Sequence, residues 1–203
     1  MKDFIDDAKI ETILEESRNP DPVRVREIID KAREHKGLTP RETAVLLQTE
    51  DRELVEAMWA AAREIKQAIY GNRLVLFAPL YIANYCSNNC LYCGFRKDNK
   101  DLNRVALTME QIADEVRTLE REGHKRLLML CGEHPGRSSL DYFIEAIETA
   151  YATKTEKGGE IRRINVEIAP MSVEEFKRLK AARIGTYVLF QETYHHETYR
   201  RMH

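Results

Sequence analysis

"LVLFAPLYIANYCSNNCLYCGFR" (residues 74–96) decides the reading of this chain. Its first part, Leu74–Ile82, is a continuous apolar run, and such runs suit strands buried on both faces, as in parallel sheets. Its second part sets Cys86, Cys90 and Cys93 at the spacing C-x3-C-x2-C directly after that strand. Loops at the C-terminal ends of parallel strands are where such folds place their chemistry. Downstream, "RLLMLCG" (126–132), "INVEIAP" (164–170) and "TYVLFQ" (186–191) are three more apolar runs. Helical patterns separate them. "TMEQ" (108–111) is a capping box opening a helix that Gly123 closes, "SVEE" (172–175) opens another, and a third is expected from about Leu140 to Ala152. Strand and helix in alternation specify an α/β fold, with parallel strands and right-handed crossovers.

Upstream, residues 1–73 read as a helical region, and residues 74–203 as a separate α/β domain. Asp21 is a candidate N-cap before Pro22, with Gly37 as a stop, and "TPRE" (39–42) is a capping box. "DRELVEAMWAAAREIKQAIYG" (51–71) spaces Leu54, Met58, Ala62, Ile65 and Ile69 along one helix face up to Gly71. That stripe, with Trp59, is expected to pack into a core. At the other end, "HHETYRRMH" (195–203) reads as the start of a fourth helix. Four βα units do not close a barrel, and an eight-unit barrel takes about 250 residues. The expectation is therefore the N-terminal part of a longer protein, with a small open-sheet domain as the alternative.

Composition narrows the classes. The 203 residues carry a net charge of −2, which gives no bulk electrostatic case for nucleic acid or an anionic membrane. The longest apolar run is too short to span a bilayer. The N-terminal "MKDFIDDAKI" lacks the cationic-then-apolar order of a secretion signal. A cytoplasmic location follows as the expectation, and clustered thiols there read as metal ligands before disulfides. A structural zinc site wants four ligands, usually as two C-x2-C pairs. The fourth cysteine, Cys131, falls 38 positions after Cys93 in a predicted strand, where it reads as a buried thiol rather than a ligand. Three thiolates on one short loop fit a 4Fe–4S cluster with one iron left open to a small molecule. A non-catalytic module binding zinc or a cluster is the alternative from another class.

The C-x3-C-x2-C spacing is the signature of the radical S-adenosylmethionine (SAM) enzymes, and the wider pattern resembles them too. Tyr92 matches the aromatic that precedes the third cysteine and packs near adenine. "CGE" (131–133) lies where the family carries a Gly-Gly-Glu-like motif for the SAM amino group, with Cys131 in place of the first glycine and Gly132 and Glu133 left to the role. The resemblance implies the first four βα units of a partial TIM-type barrel. It also implies an open iron chelated by the amine and carboxylate of SAM, and reductive cleavage of SAM to methionine and a 5′-deoxyadenosyl radical.

"YGNRLVLFAPLYIANYCSNNCLYCGFR" (70–96) and "IGTYVLFQETYHHETYRRMH" (184–203) look like the tyrosine lyases of this superfamily. "GLTPRETAVLL" (37–47), "AREIKQAIYGNR" (62–73) and "GGEIRRINVEIAP" (158–170) favour the branch that matures FeFe-hydrogenase over the branch of thiamine synthesis. The resemblance implies Cα–Cβ cleavage of L-tyrosine to p-cresol and dehydroglycine, the latter feeding carbon monoxide and cyanide synthesis. It implies an electron donor such as ferredoxin or flavodoxin, and hydrogenase maturation proteins as partners. The last stage in that branch uses a second cluster on C-terminal cysteines, which this sequence lacks. A further departure is Arg183, where the family more often has glycine. Glu167 alternates within its strand, either facing SAM or playing a structural role. Gln191 and Glu192, at the end of the fourth strand, are placed to face the site. Tyr194, His195 and His196 match the family string, and a loop histidine also serves as a helix cap.

Overall fold

The computed structural model describes residues 5–203. Residues 1–4 of the stretch read for a secretion signal lie outside the described residues. The chain divides into two compact units, the first ending at Leu74 and the second running Val75–His203.

The first unit holds α1 (Asp7–Glu16), α2 (Pro22–Ala32), α3 (Pro40–Leu47) and α4 (Arg52–Tyr70). Asp21 caps α2, its carboxylate accepting the Val23 N–H behind Pro22. Thr39 and Glu42 form the reciprocal capping box of α3. Glu42 also takes Lys31 Nζ at 2.7 Å, and Lys31, followed by the Thr39 N–H and hydroxyl, pulls its carboxyl down to about 2. Val25, Ile29, Leu54 and Ala61 make the core. Two expectations are corrected. Helix α2 stops at Ala32, leaving Gly37 beyond the turn that follows, at φ +81°. The α4 stripe is buried only near its start: Met58 and Ile65 are half-buried, Ala62 and Ile69 exposed, and Trp59 is 60% exposed. Length explains the distal end, since the 19 residues of α4 run about 28 Å while the 11 of α2 cover about 16 Å; Trp59 lies off the face of the buried Leu54 and Ala61.

In the second unit the order is β1 (Ala78–Ala83), α5 (Met109–Arg121), β2 (Arg126–Cys131), α6 (Leu140–Ala152), β3 (Arg163–Glu167), α7 (Val173–Ala181), β4 (Tyr187–Val188) and α8 (His196–Met202). Four parallel strands lie in sequential order β1-β2-β3-β4, with Leu80, Met129, Val166 and Tyr187 in register across them. This is the α/β array expected. Thr108 with Gln111, and Ser172 with Glu175, form the two capping boxes; Ser139 caps α6. Gly123 follows α5 at φ +99°.

The strands are not buried on both faces. Leu80 and Ile82, Leu127 and Met129, and Ile164 and Val166 are buried on one face against Ile112, Val116, Phe143, Ile147 and Leu179 of α5, α6 and α7. The alternate residues, apart from the buried Ala83 at the end of β1, are exposed or half-buried, Tyr81 among the exposed. Helices pack on one side only, so burial alternates with the pleat. The apolar runs also overstate the strands. Leu74–Phe77 precede β1 and are exposed, and β4 is two residues long with Leu189 and Phe190 exposed beyond it. Arg183 sits in the left-handed region at φ +64°, which explains a preference for glycine there. Its guanidinium stacks 4.9 Å over the Tyr151 ring, an attraction that offsets part of the strain.

Candidate functional site

Parallel strands put all four C-terminal ends at one edge, and Ala83, Cys131, Glu167 and Val188 mark it. The loop between β1 and α5 opens from this edge. A loop this long without regular elements costs much conformational entropy, so its internal bonds matter. Arg104 is the centre of them: its guanidinium donates to the carbonyls of Asn84, Phe95, Arg96 and Asn99. The Asn84 side chain ties both ends together, accepting from the Val105 N–H at 2.7 Å and donating to the Asn103 carbonyl at 2.8 Å. Within this frame Cys86, Cys90 and Cys93 are all half-buried free thiols. A turn joins the last two (Cys93 N–H to the Cys90 carbonyl), and the Phe95 N–H lies 3.4 Å from Cys93 Sγ.

The "CGE" segment meets this loop directly. The Ser87 N–H donates to the Glu133 carbonyl at 2.7 Å, and the Asn88 amide donates to Glu133 Oε2 at 2.6 Å. Gly132 is buried beneath, its N–H bonded to the Ala83 carbonyl. Ser138 pins the turn that follows, donating to the Gly132 carbonyl and accepting the His134 N–H. Cys131 belongs to a different environment. It shares the helix-covered face of β2 with Leu127 and Met129, packs against the core, and burial pushes its thiol up to about 12. A metal ligand must be a thiolate, so this sulfur is a poor donor.

The residues of the fourth strand end are brought only partly together. Glu167 lies on the open face of β3, and burial, then Glu192, raises its carboxyl. The Tyr92 phenol is pushed up to about 12 by burial, then by Cys90 and Glu192. Glu192 thus acts on both. Gln191 bonds back to the Thr193 carbonyl, and Tyr194 is exposed. His195 is the N-cap of α8, accepting the Thr198 N–H. Sequence reasoning missed Asn88, Arg104, Ser138 and His203, which act through folded geometry and carry no spacing signal.

The donor set fits an iron–sulfur cubane better than zinc: three thiols on one loop, a main-chain N–H aimed at one of them, and a fourth cysteine on a strand, packed against the core. As they stand, no three Cys, His, Asp or Glu side chains among the described residues are gathered closely enough to hold an ion. Beside Glu133, a cavity of about 290 Å³ opens between the β2 and β3 ends, lined by Cys131, His134, Ser138, Ile168 and Met171. Among the described residues no helix is long and apolar enough to cross a membrane.

Residues 80–203 match the sequence profile described as "Radical SAM superfamily". A crystal structure of HydG, a maturase of the [FeFe]-hydrogenase, is 52% identical with a TM-score of 0.95, covering 100% of this chain and 44% of that one. HydG from Carboxydothermus hydrogenoformans is 39% identical with a TM-score of 0.82, covering 97% of this chain and 44% of its own. The 2-iminoacetate synthase of Escherichia coli is 28% identical over 178 residues, 86% of this chain and 44% of that protein. The chain thus spans less than half the length of each of these three relatives.

Proposed function

The chain belongs to the radical SAM superfamily, whose cofactors are a 4Fe–4S cluster and SAM, and on that premise we propose that it forms the N-terminal part of a tyrosine lyase of FeFe-hydrogenase maturation. The observation that carries the reading is the 52% identity to HydG along the whole chain, thiol loop included. The reaction is Cα–Cβ cleavage of L-tyrosine to p-cresol and dehydroglycine, with ferredoxin or flavodoxin as electron donor and hydrogenase maturation proteins downstream. A lyase of thiamine synthesis is the second reading. Its support is the E. coli 2-iminoacetate synthase, since 2-iminoacetate and dehydroglycine are one compound, at a lower identity of 28%.

In this reading the helical region 1–73 precedes a radical SAM core at 74–203, and Cys86, Cys90 and Cys93 hold the cluster. When bound, the cluster supplies the electron that cleaves SAM. The chain's own residues place and shield that chemistry. Glu133 accepts a charge-assisted hydrogen bond from the SAM ammonium, Gly132 lets the strand end approach the thiol loop, and Tyr92 stands beside adenine. Glu167 and Glu192 are two acids whose mutual repulsion a cationic ligand relieves. Gln191 and Tyr194 extend the same rim toward tyrosine.

Asn88 holds the Glu133 carboxylate in place through Oε2 and leaves Oε1 to the ligand. Glu133→Ala is expected to weaken SAM binding by ~1.5–3 kcal/mol, roughly tenfold to a hundredfold. Asn88→Ala removes only the orienting bond and is expected to cost about 1 kcal/mol, some fivefold. Equilibrium binding of SAM at equal iron content measures both. An effect of Asn88→Ala with none from Glu133→Ala would remove the acid from the site.

The function itself is tested by grafting. The chain replaces the matching part of C. hydrogenoformans HydG, and the chimera is assayed anaerobically with dithionite, SAM and L-tyrosine. The expected result is p-cresol in step with 5′-deoxyadenosine, both read by chromatography. SAM cleavage without p-cresol would overturn the tyrosine lyase reading.

A further inference from the structure

The last turn of α8 lies against the thiol loop. The Leu91 N–H, between the second and third cysteines, donates to the Met202 carbonyl at 2.8 Å. The next residue, His203, has Nδ1 3.4 Å from Cys90 Sγ and Nε2 2.8 Å from the Tyr92 hydroxyl. Its ring stacks on Tyr199 at 4.2 Å and 12°, and its N–H bonds to the Tyr199 carbonyl. The imidazole is therefore held on three sides: by sulfur, by phenol and by a parallel ring.

Hydrogen-bond inventory then assigns the proton at Nδ1 when Cys90 ligates iron. A cysteine that ligates iron is a thiolate and has no S–H to give, so a bond to Nδ1 requires the proton on the ring nitrogen. In the neutral ring Nε2 is then an acceptor, and the Tyr92 O–H is its donor. The chain Tyr92 O–H to Nε2, Nδ1–H to Cys90 Sγ satisfies every group in it.

We propose that His203 is a positioning residue that donates a hydrogen bond from Nδ1 to the Cys90 thiolate, oriented by Tyr92, and so raises the reduction potential of the cluster. The proposal rests on the cluster reading of the three cysteines and goes beyond it. Hydrogen bonds to the sulfurs are among the levers that set the potential of such clusters, because they withdraw electron density and favour the reduced state. The couple takes up one electron from a low-potential reductant, with no bond made or broken in the protein. The device also joins the end of α8 to the cluster loop, so the segment after β4 reports on the cluster's electronics.

The test uses the full 203-residue chain, reconstituted anaerobically with iron and sulfide, without SAM. Titration with titanium(III) citrate is followed by electron paramagnetic resonance. His203→Leu is expected to lower the ratio of reduced to oxidised cluster at the wild-type midpoint by about three- to tenfold, tenfold being 59 mV for a one-electron couple. Tyr92→Phe should shift it in the same direction by less. His203→Asn keeps an N–H near the Nδ1 position and should restore most of the loss, which a merely structural role would not do. Should His203→Leu lose its iron, the wild-type chain carrying nitrogen-15 histidine decides: a histidine nitrogen weakly coupled to the reduced cluster's spin supports the bond, and its absence overturns it. Equal midpoints at equal iron content also overturn it. A wild-type chain that assembles no cluster overturns the cluster reading itself, and this inference with it.

Discussion

Replacing any one of Cys86, Cys90 or Cys93 by alanine is expected to strip the chain of its iron, while Cys131→Ala leaves the iron content unchanged. In the proposed assignment each loop cysteine supplies one thiolate, and two thiolates hold poorly a cubane that already has one iron without a protein ligand. Arg104 and Asn84 cannot substitute, being committed to the loop's carbonyls and ends. Cys131 cannot step in. It packs against the core on the helix-covered face of β2, with its thiol pushed up to about 12 by burial. Removing that sulfur leaves a small void, and cavity costs for such truncations run about 1–2 kcal/mol. The measurements are iron per chain and the broad visible absorption of the reconstituted protein. Loss of iron in Cys131→Ala as complete as in Cys90→Ala would mean the ligand set is misassigned. A colourless chain holding zinc would mean the loop builds a different centre.

Local rules predicted what local chemistry decides. The two expected capping boxes, the helix start at Ser172, the Asp21 cap and the Leu140–Ala152 helix all formed, because a cap depends on residues within four positions of one another. Strand–helix alternation was enough for a parallel sheet in sequential order. Composition failed where the outcome depends on what packs alongside. Trp59 and the distal α4 stripe are as apolar as a core, yet Trp59 lies off the face that carries the buried Leu54 and Ala61, and Ile69 lies beyond the Glu64 that pairs with Arg33 at the end of α2. Leu74–Phe77 look like strand, but pairing begins at Ala78 because that is where β2 stands opposite. The thiol loop was legible because three cysteines in eight positions are rare. The residues that organise it were not, since Asn88 meets Glu133 across 45 positions and His203 meets Cys90 across 113. Pairings of that span belong to the topology and leave no periodic trace. Arg183 shows the reverse case, a departure visible in the sequence whose meaning, a left-handed backbone beside Tyr151, needed the fold.

Gly132→Ala is expected to damage the site out of proportion to one methyl group. The backbone at Gly132 has an ordinary φ, so conformational freedom is not why glycine stands there. Space is the reason. An added Cβ would meet the Tyr85 carbonyl oxygen at 2.3 Å, its carbon at 3.0 Å and Cys86 Cβ at 3.2 Å. The first two are main-chain atoms and cannot swing aside as a side chain does. Either the start of the thiol loop retreats or the β2 end does, and both movements break existing bonds. The Gly132 N–H is tied to the Ala83 carbonyl, the Gly132 carbonyl to Ser138, and the next residue, Glu133, to Ser87 and Asn88. Overpacking of this kind costs about 1–3 kcal/mol of stability. The larger consequence is geometric, because Cys86 and Glu133 flank the collision and move apart together. Iron retention should fall, and SAM affinity should fall by at least as much as in Glu133→Ala. Gly136→Ala is the matched control. There a Cβ meets only the His134 ring, at 3.7 Å, an ordinary contact, and no effect on iron or SAM is expected. Chemical denaturation, iron analysis and SAM binding on the two variants give the answer. If Gly132→Ala matches Gly136→Ala in all three, the close approach of the β2 end to the thiol loop does not constrain the site, and Gly132 has no part in it.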